Sequence, residues 1–284
     1  PSQIQVLTWN VNFSNPLRRQ RLDRILFHIT NDIFEGRAPP PACVILFQEV
    51  HQQALPLLLA HPFVRAHFAI STISHDTWPN PSVYGNVTLV STGIPIRAAF
   101  SIKYPSTVMG RHAIFVDVQL AAYHTENNDP FAKSPRQGAS ADLDLIMKHV
   151  VVRIANTQLE SFVGYGERAR LHQLVVVARF LRSPSLHGGI VGGDMNTLTL
   201  KDDGIHTQAG LRDPHVGSPT ENVTWGMQPS TDIPPKRLDR FYVTRGRGVS
   251  LDPPRIVGAG LTMPSDSDRV YASDHCGVST IVRI

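Results

Sequence analysis

Carboxylates, amides and one imidazole recur where apolar runs of this sequence end. Asn10 stands with Asn12, Gln48 with Glu49, and Gln158 with Glu160 and Ser161. Asp194 stands with Asn196, Asp239 follows Leu238, and Asp274 lies beside His275. Each alone reads as the place where a strand stops, because Asp, Asn and Ser bond nearby backbone and favour turns. Strands of one sheet, or of two packed sheets, can end on the same edge. These tips would then form one acidic cleft holding an imidazole and several amides. Hard carboxylate and amide oxygens suit Mg²⁺ or Mn²⁺, which take one or two protein carboxylates together with water and substrate phosphate. Phosphodiester hydrolysis also needs an activated water and donors for the charge that develops on the phosphorane oxygens. Asp194 is placed to orient or deprotonate the water. Asn10 and Asn196 are placed to donate to developing charge. His275, kept protonated by a carboxylate such as Asp239, would bond the scissile phosphate. Acyl transfer fits less well: no GxSxG elbow occurs. "GGIVGGD" is not followed by GK[ST], so it is not a phosphate-binding P-loop.

The elements that must carry these residues are legible from periodicity. "IQVLTWNVN" (4–12) and "ACVILFQEV" (42–50) read as buried strands with polar ends. Between them, 17–34 places Leu22, Ile25, Leu26, Ile29 and Ile33 at helical spacing, with Arg18, Arg19, Arg21 and Arg24 assigned to a solvated face. A short helix is expected near 54–60, then strands at 67–72, 86–92, 96–102 and 111–120. Residues 121–149 are polar and read as a surface loop between two strands. A strand at 150–161, an amphipathic helix at 166–181, and strands at 188–196, 237–246 and 278–284 complete the list. Arg168 and Arg170 are assigned to the solvated side of the later helix. The stretch "HDTWPNPSVYGN" (75–86) reads as a turn-rich loop and a candidate substrate lid, since Trp78 and Tyr84 are costly to expose. Many strands with few helices imply an α/β or α+β sandwich in a single domain, 1–284.

Composition sets the outer bounds. The chain has 284 residues, 42% of them hydrophobic, enough for one sizeable core. Its formal charge of +4 permits a polyanionic partner without requiring one. The two cysteines, Cys43 and Cys276, form no CxxC pattern, which argues against a zinc site or a disulfide framework. No apolar run approaches the roughly 18 residues of a membrane span. No secretory leader is apparent. The expectation is a reducing compartment, nuclear or cytoplasmic.

Read in order, "TWNVN", "FQEV", "NTQLES", "GGDMN", "RLDRFYV" and "SDHCGV" resemble the endonuclease/exonuclease/phosphatase superfamily of Mg²⁺-dependent phosphoesterases. The set runs from Thr8 to Val278. The resemblance implies a two-sheet β-sandwich flanked by helices, with the site at the strand ends. Within the superfamily, "PSTVMGRH" (105–112), "LES" followed by Glu167 and Arg168, and "TWGMQ" (224–228) look most like the branch that removes tyrosyl groups from DNA 5′ ends. Carried over by motif, Glu49 would hold the Mg²⁺ with Asp274 and Asn10 near it. Asp194 would handle the water, Asn196 and His275 would stabilise the phosphorane, and Asp239 would orient His275. Gln158 and Ser161 would contact phosphate, Trp225 would wall a base or sugar, and Arg111 and Tyr84 would lie along the substrate groove. The implied partner is a single-stranded or frayed DNA 5′ end carrying a tyrosyl peptide, with no membrane partner and a monomeric enzyme. Gln158 stands where the family has histidine, "GDMNTLT" lacks an arginine of the family pattern, and Leu238 replaces an aromatic. Other expectations within the same mechanism are an abasic-site or general nuclease and a lipid or inositol phosphatase. A non-catalytic scaffold is the expectation from a different class.

Overall fold

The structure is a computed structural model and describes residues 1–79, 83–125, 145–218, 221–264 and 269–284. Two mixed sheets pack face to face. The first contains β1 (Gln3–Asn10), β2 (Cys43–His51), β3 (Phe68–Ile70), β4 (Tyr84–Ser91), β11 (Ser250–Leu251), β12 (Arg255–Val257) and β13 (Gly277–Arg283). The second contains β5 (Ile96–Lys103), β6 (His112–Thr125), β7 (Leu145–Gln158), β8 (Gly188–Asp194), β9 (Leu211–Arg212) and β10 (Asp239–Thr244). Helices α1 (Arg18–His28), α2 (Leu55–Ala60) and α3 (Pro62–His67) cover the outside of the first sheet. Helices α4 (Tyr165–Leu181) and α5 (Ile205–Gln208) cover the outside of the second.

This layering follows from side-chain alternation along the strands. On β1, Ile4 and Val6 enter the core between the sheets, where they join Leu46, Val116, Val152 and Ile190. Leu7 and Trp9 face the other way, onto Leu22, Ile25 and Leu26 of α1. On the second sheet, Phe115, Ala155 and Val191 pack beneath Leu174, Val177 and Leu181 of α4. Both faces of each sheet are covered, so the central strands are apolar throughout instead of alternating.

The two-sheet sandwich expected from the motifs is therefore present. Four local expectations are corrected. The ends of 121–149 are not loop: β6 runs on to Thr125 and β7 begins at Leu145, with Thr125 paired to Leu145. Hairpin arms keep their ladder whatever the polarity of their side chains; residues 126–144 of that segment lie outside the described residues. Arg21 is buried, donating to the carbonyls of Pro16 (2.7 Å) and Tyr271. Arg170 is also buried, in a two-bond ion pair with Asp202 at 2.7 and 2.8 Å. It shares a helical stripe with Gln173, Leu174 and Val177, so its spacing pointed inward although its charge pointed out. Trp78 is buried over Gly85, where a Cβ would lie 2.5 Å from the indole, and so needs no lid to shelter it. Residues 80–82 of that stretch lie outside the described residues.

His112 gives the fold a pH dependence. It is buried at the start of β6, and burial pushes its imidazole down to about 4, against an ordinary 6.5. Above pH 6.5 both the folded and the unfolded chain hold it neutral. As pH falls from 6.5 toward 4, only the unfolded chain takes up the proton, so stability is lost across that window. The loss is about 2 kcal/mol by pH 5. Urea midpoints at pH 7 and pH 5 should therefore differ more for the wild-type protein than for His112→Gln. Equal differences would remove His112 as the cause.

Candidate active site

Strand pairing brings the polar tips together. In the second sheet Asp194 ends β8 between two neighbours, opposite Gln158 of parallel β7 and opposite Asp239 of antiparallel β10. In the first sheet Asn10 ends β1. The two sheet ends meet where the Asn10 side-chain amide donates to Asp194 Oδ2 at 3.1 Å. The double glycine before Asp194 serves this approach. Gly193 has φ of +151°, and a Cβ there would lie 1.8 Å from the Thr157 carbonyl oxygen. Any side chain would force β8 away from β7. Gln48 does not join the cleft. Its amide donates to Asn156 Oδ1 (2.8 Å) and Thr8 Oγ1 (2.9 Å) inside the sandwich, where unpaired polar groups would be costly.

Asp194 is the most heavily bonded carboxylate of the cleft. Its Oδ2 accepts from the amides of Asn10 (3.1 Å), Gln158 (3.2 Å) and Asn196 (3.1 Å), and its Oδ1 accepts from the Asn196 backbone N–H (3.0 Å). Asn196 also donates to the Leu159 carbonyl at 3.0 Å and has φ of +46°, a conformation that Asn tolerates. Asn10 and Asn196, expected to reach toward substrate, first hold the orientation of Asp194.

Asp274 and His275, adjacent in sequence, make separate contacts. His275 Nδ1 lies 2.7 Å from Asp239 Oδ2, and both side chains are buried. Burial alone would lower the imidazole and raise the Asp239 carboxyl, and each opposes the other's shift through its charge. The imidazole ends well above its ordinary value. The proton belongs on the imidazole, because Asp239, Asp274 and Asp194 all act on it with negative charge. With Nδ1 committed to Asp239, Nε2 is the nitrogen left for a substrate oxygen. Asp274 is gripped by Asn12 Nδ2 (2.6 Å) on one oxygen and by the Trp225 indole N–H (3.2 Å) on the other. The expected aromatic wall is thus hydrogen-bonded to a cleft carboxylate. Ser273 ties the tail to β1 through the Asn10 carbonyl at 2.7 Å.

Glu49 reaches the cleft through a backbone irregularity. The β2–β4 register slips between Phe47 and Val50, and Glu49 adopts φ of +59°. For a residue other than glycine this costs about 1–3 kcal/mol. Its Oε1 accepts from Gln158 Nε2 at 2.6 Å and its Oε2 from the Phe13 N–H at 3.2 Å. Gln158 therefore directs its amide donors to two carboxylates, Glu49 and Asp194, and not to an open phosphate position. Its carbonyl oxygen accepts from the Arg111 guanidinium. Arg111 is buried, lies 5.7 Å from the centroid of the Tyr84 ring, and donates to the Tyr84 hydroxyl at 3.3 Å; Tyr84 in turn stacks on Phe13 at 3.7 Å. The Ser161 hydroxyl bonds Met109 Sδ at 3.0 Å, at the margin of the site. Trp225 stands at the other margin.

The residues fit a hydrated divalent cation. Each oxygen of half-buried Glu49 accepts one hydrogen bond, which leaves lone pairs on both. Asp274 retains similar capacity. Among the described residues no three His, Cys, Asp or Glu side chains converge as a cage. A Mg²⁺ ion that keeps its waters and takes substrate phosphate needs no cage.

Sequence reasoning passed over Phe13, Met109 and the carboxylate role of Glu160. Buried Glu160 accepts from Thr107 Oγ1 (2.9 Å), the Met109 N–H (3.0 Å) and Gln173 Nε2 (3.2 Å), fixing the turn that leads into Arg111. The signal was the two-residue spacing from Gln158, which sets both side chains on one side of an extended chain.

The family model described as "Endonuclease/Exonuclease/phosphatase family" matches residues 7–275. No curated protein matches the chain in sequence. Among solved structures, a truncated TDP2 of Caenorhabditis elegans superimposes with TM-score 0.64 at 18% identity, covering 99% of this chain and 98% of that one. TDP2 of D. rerio, complexed with single strand DNA product, gives TM-score 0.67 at 16% identity over 100% of both chains. Beta toxin from Staphylococcus aureus gives 0.65 at 15% identity, covering 97% of this chain and 98% of that one. At these identities the likeness is one of fold.

Proposed function

The chain belongs to the endonuclease/exonuclease/phosphatase family, hydrolases of phosphoester bonds that generally use a divalent metal, and we propose that it is a Mg²⁺-dependent 5′-tyrosyl-DNA phosphodiesterase. The observation that carries the chemistry is the meeting of Asp194, bonded by three side-chain amides, with the Asp239–His275 pair at the ends of two sheets. Trp225 at one margin, together with the fold likeness to a TDP2 holding a single-strand DNA product, supports the substrate class.

Glu49, with Asp274 near it, would hold the Mg²⁺, which supplies charge to the phosphate and its leaving group. The remaining work belongs to the chain. Asp194 Oδ1 orients the attacking water and draws its proton, while the amides on Oδ2 stop the carboxylate from rotating. His275 donates from Nε2 to a phosphate oxygen and strengthens that bond as charge develops, with Asp239 holding the imidazole charged. Asn196 and Asn10 keep Asp194 in place. Gln158 joins Glu49 and Asp194 to the charge of Arg111 without a titrating group of its own. Trp225 gives a base or sugar a face to stack on, tolerant of sequence. In this reading the protein acts in the nucleus or cytoplasm, with Cys43 and Cys276 free and buried.

The test is an oligonucleotide bearing a 5′-phosphotyrosine, incubated with Mg²⁺ or with EDTA. Tyrosine release that requires the metal is the expected result. Cleavage of an abasic-site duplex or a lipid phosphodiester in its place would keep the family and discard the substrate. Silence on every phosphoester would favour a scaffold.

A further inference from the structure

The cleft is a bonded row with two different ends. Hydrogen bonds lead from Trp225 to Asp274, and others join Asp194, Gln158, Arg111 and Met109 at the far side. A phosphodiester likewise has two ester arms. At the Met109 end stand two chain segments whose apolar side chains face water. Val108, Phe162, Val163 and Tyr165 are exposed by 68, 53, 66 and 54%.

Their exposure is built in by the backbone beneath them. The buried Glu160 carboxylate accepts from the N–H groups of Val108 (3.3 Å) and Met109 (3.0 Å), the Ser161 hydroxyl bonds Met109 Sδ, and the Phe162 carbonyl accepts from buried Arg170 at 2.8 Å. Single exposed apolar residues are ordinary on protein surfaces. Several held side by side next to a cleft mark a contact surface. The four side chains carry no charge, so a phosphate-rich strand gains little from them, since its affinity comes largely from Lys and Arg. An apolar polypeptide segment gains by burying them.

We propose that this rim docks the polypeptide arm of the substrate: an apolar segment flanking the tyrosine, on the side of the scissile phosphate away from Trp225. The proposal rests on the tyrosyl-DNA reading for the identity of the arm. Its surface can be tested apart from that reading.

The first measurement compares kcat/KM for three 5′-phosphotyrosyl oligonucleotides: tyrosine alone, tyrosine within a Leu- and Phe-flanked peptide, and tyrosine within a Ser- and Gly-flanked peptide. The apolar peptide should raise kcat/KM by on the order of tenfold, through KM. The triple variant Val108→Ser, Phe162→Ser, Val163→Ser should lose that gain and still hydrolyse the tyrosine-only substrate normally. Equal rates on all three substrates would overturn the rim and leave the proposed function standing. If none is cleaved, the proposed function fails, and the rim is decided by fluorescence anisotropy with the labelled phosphotyrosine peptides alone. Tighter binding of the apolar peptide, lost in the triple variant, supports the rim; equal binding overturns it. Flotation with phosphatidylcholine–phosphatidylserine vesicles that depends on the same three residues would also overturn it, assigning the surface to lipid.

Discussion

Asp194→Asn is expected to lower kcat by about 10³- to 10⁴-fold while KM for the substrate changes little, because the substitution removes the group proposed to act on the attacking water in the transition state. The geometry also fixes a structural cost. Oδ2 of Asp194 faces three amide donors and Oδ1 faces a fourth N–H. An asparagine must turn its own NH₂ toward one of these sets, whichever way it sits, and leave buried donors unpaired. That costs about 1–3 kcal/mol, which a chain of this size tolerates when assayed below its melting transition. Circular dichroism of the variant separates the two effects: a folded, inactive protein is the expected result. A folded variant with activity within threefold of wild type would remove Asp194 from the chemistry.

Removing the charge behind His275 has the second-largest effect. Asp239→Asn keeps the shape of the pair but withdraws the main influence that holds the imidazole protonated against burial. The imidazole is then expected to fall from its raised value, because burial is the largest influence that remains. Loss of the proposed charged donor to the phosphorane should lower kcat about 10²- to 10³-fold. The pH profile distinguishes this from simple misplacement. In the wild-type enzyme the raised His275 keeps its proton through neutrality, and activity declines only as pH climbs through that raised value. In Asp239→Asn the decline moves to lower pH, so the variant recovers part of its activity at pH 5.5. His275→Ala shows a comparable loss at pH 7.5 and no such recovery. An unshifted alkaline limb in Asp239→Asn would mean that Asp239 does not set the charge of His275.

These two results also bear on Gln158. Charge-assisted hydrogen bonds are roughly twice as strong as neutral ones, so an amide in the family's histidine position is by itself the weaker donor. In the folded chain the amide bridges Glu49 and Asp194 and receives the Arg111 guanidinium at its other end. The positive charge on the Gln158 side of the site belongs to Arg111. His275 then remains the group with a proton to lose across the working pH range.

Much of this was legible in the residues themselves. Strand periodicity with polar tips marked Asn10, Asp194, Asp239 and His275, because a two-residue repeat and a terminal polar residue are local properties of the chain. The helical stripe of 166–181 and the absence of a P-loop or nucleophile elbow were equally local. Other features arise only when distant segments meet. Glu49 enters the cleft through a bulge and a positive φ that no pattern in "FQEV" announces, since the register of β2 on β4 is fixed by side chains more than thirty residues away. Arg21 and Arg170 carry the charge of surface residues, yet tertiary partners take them inside: two backbone carbonyls for one, and Asp202 with backbone carbonyls for the other. Gln48 and Gln158 are the same residue type, one within β2 and the other at the end of β7. One bridges the interior of the sandwich and the other the cleft. The sequence alone determined which chemistry the chain carries, because residue types and their periods are written in it. Which oxygen each donor meets, and therefore which polar tip lines the cleft and which bonds inside the sandwich, was decided by the packing of one sheet on the other.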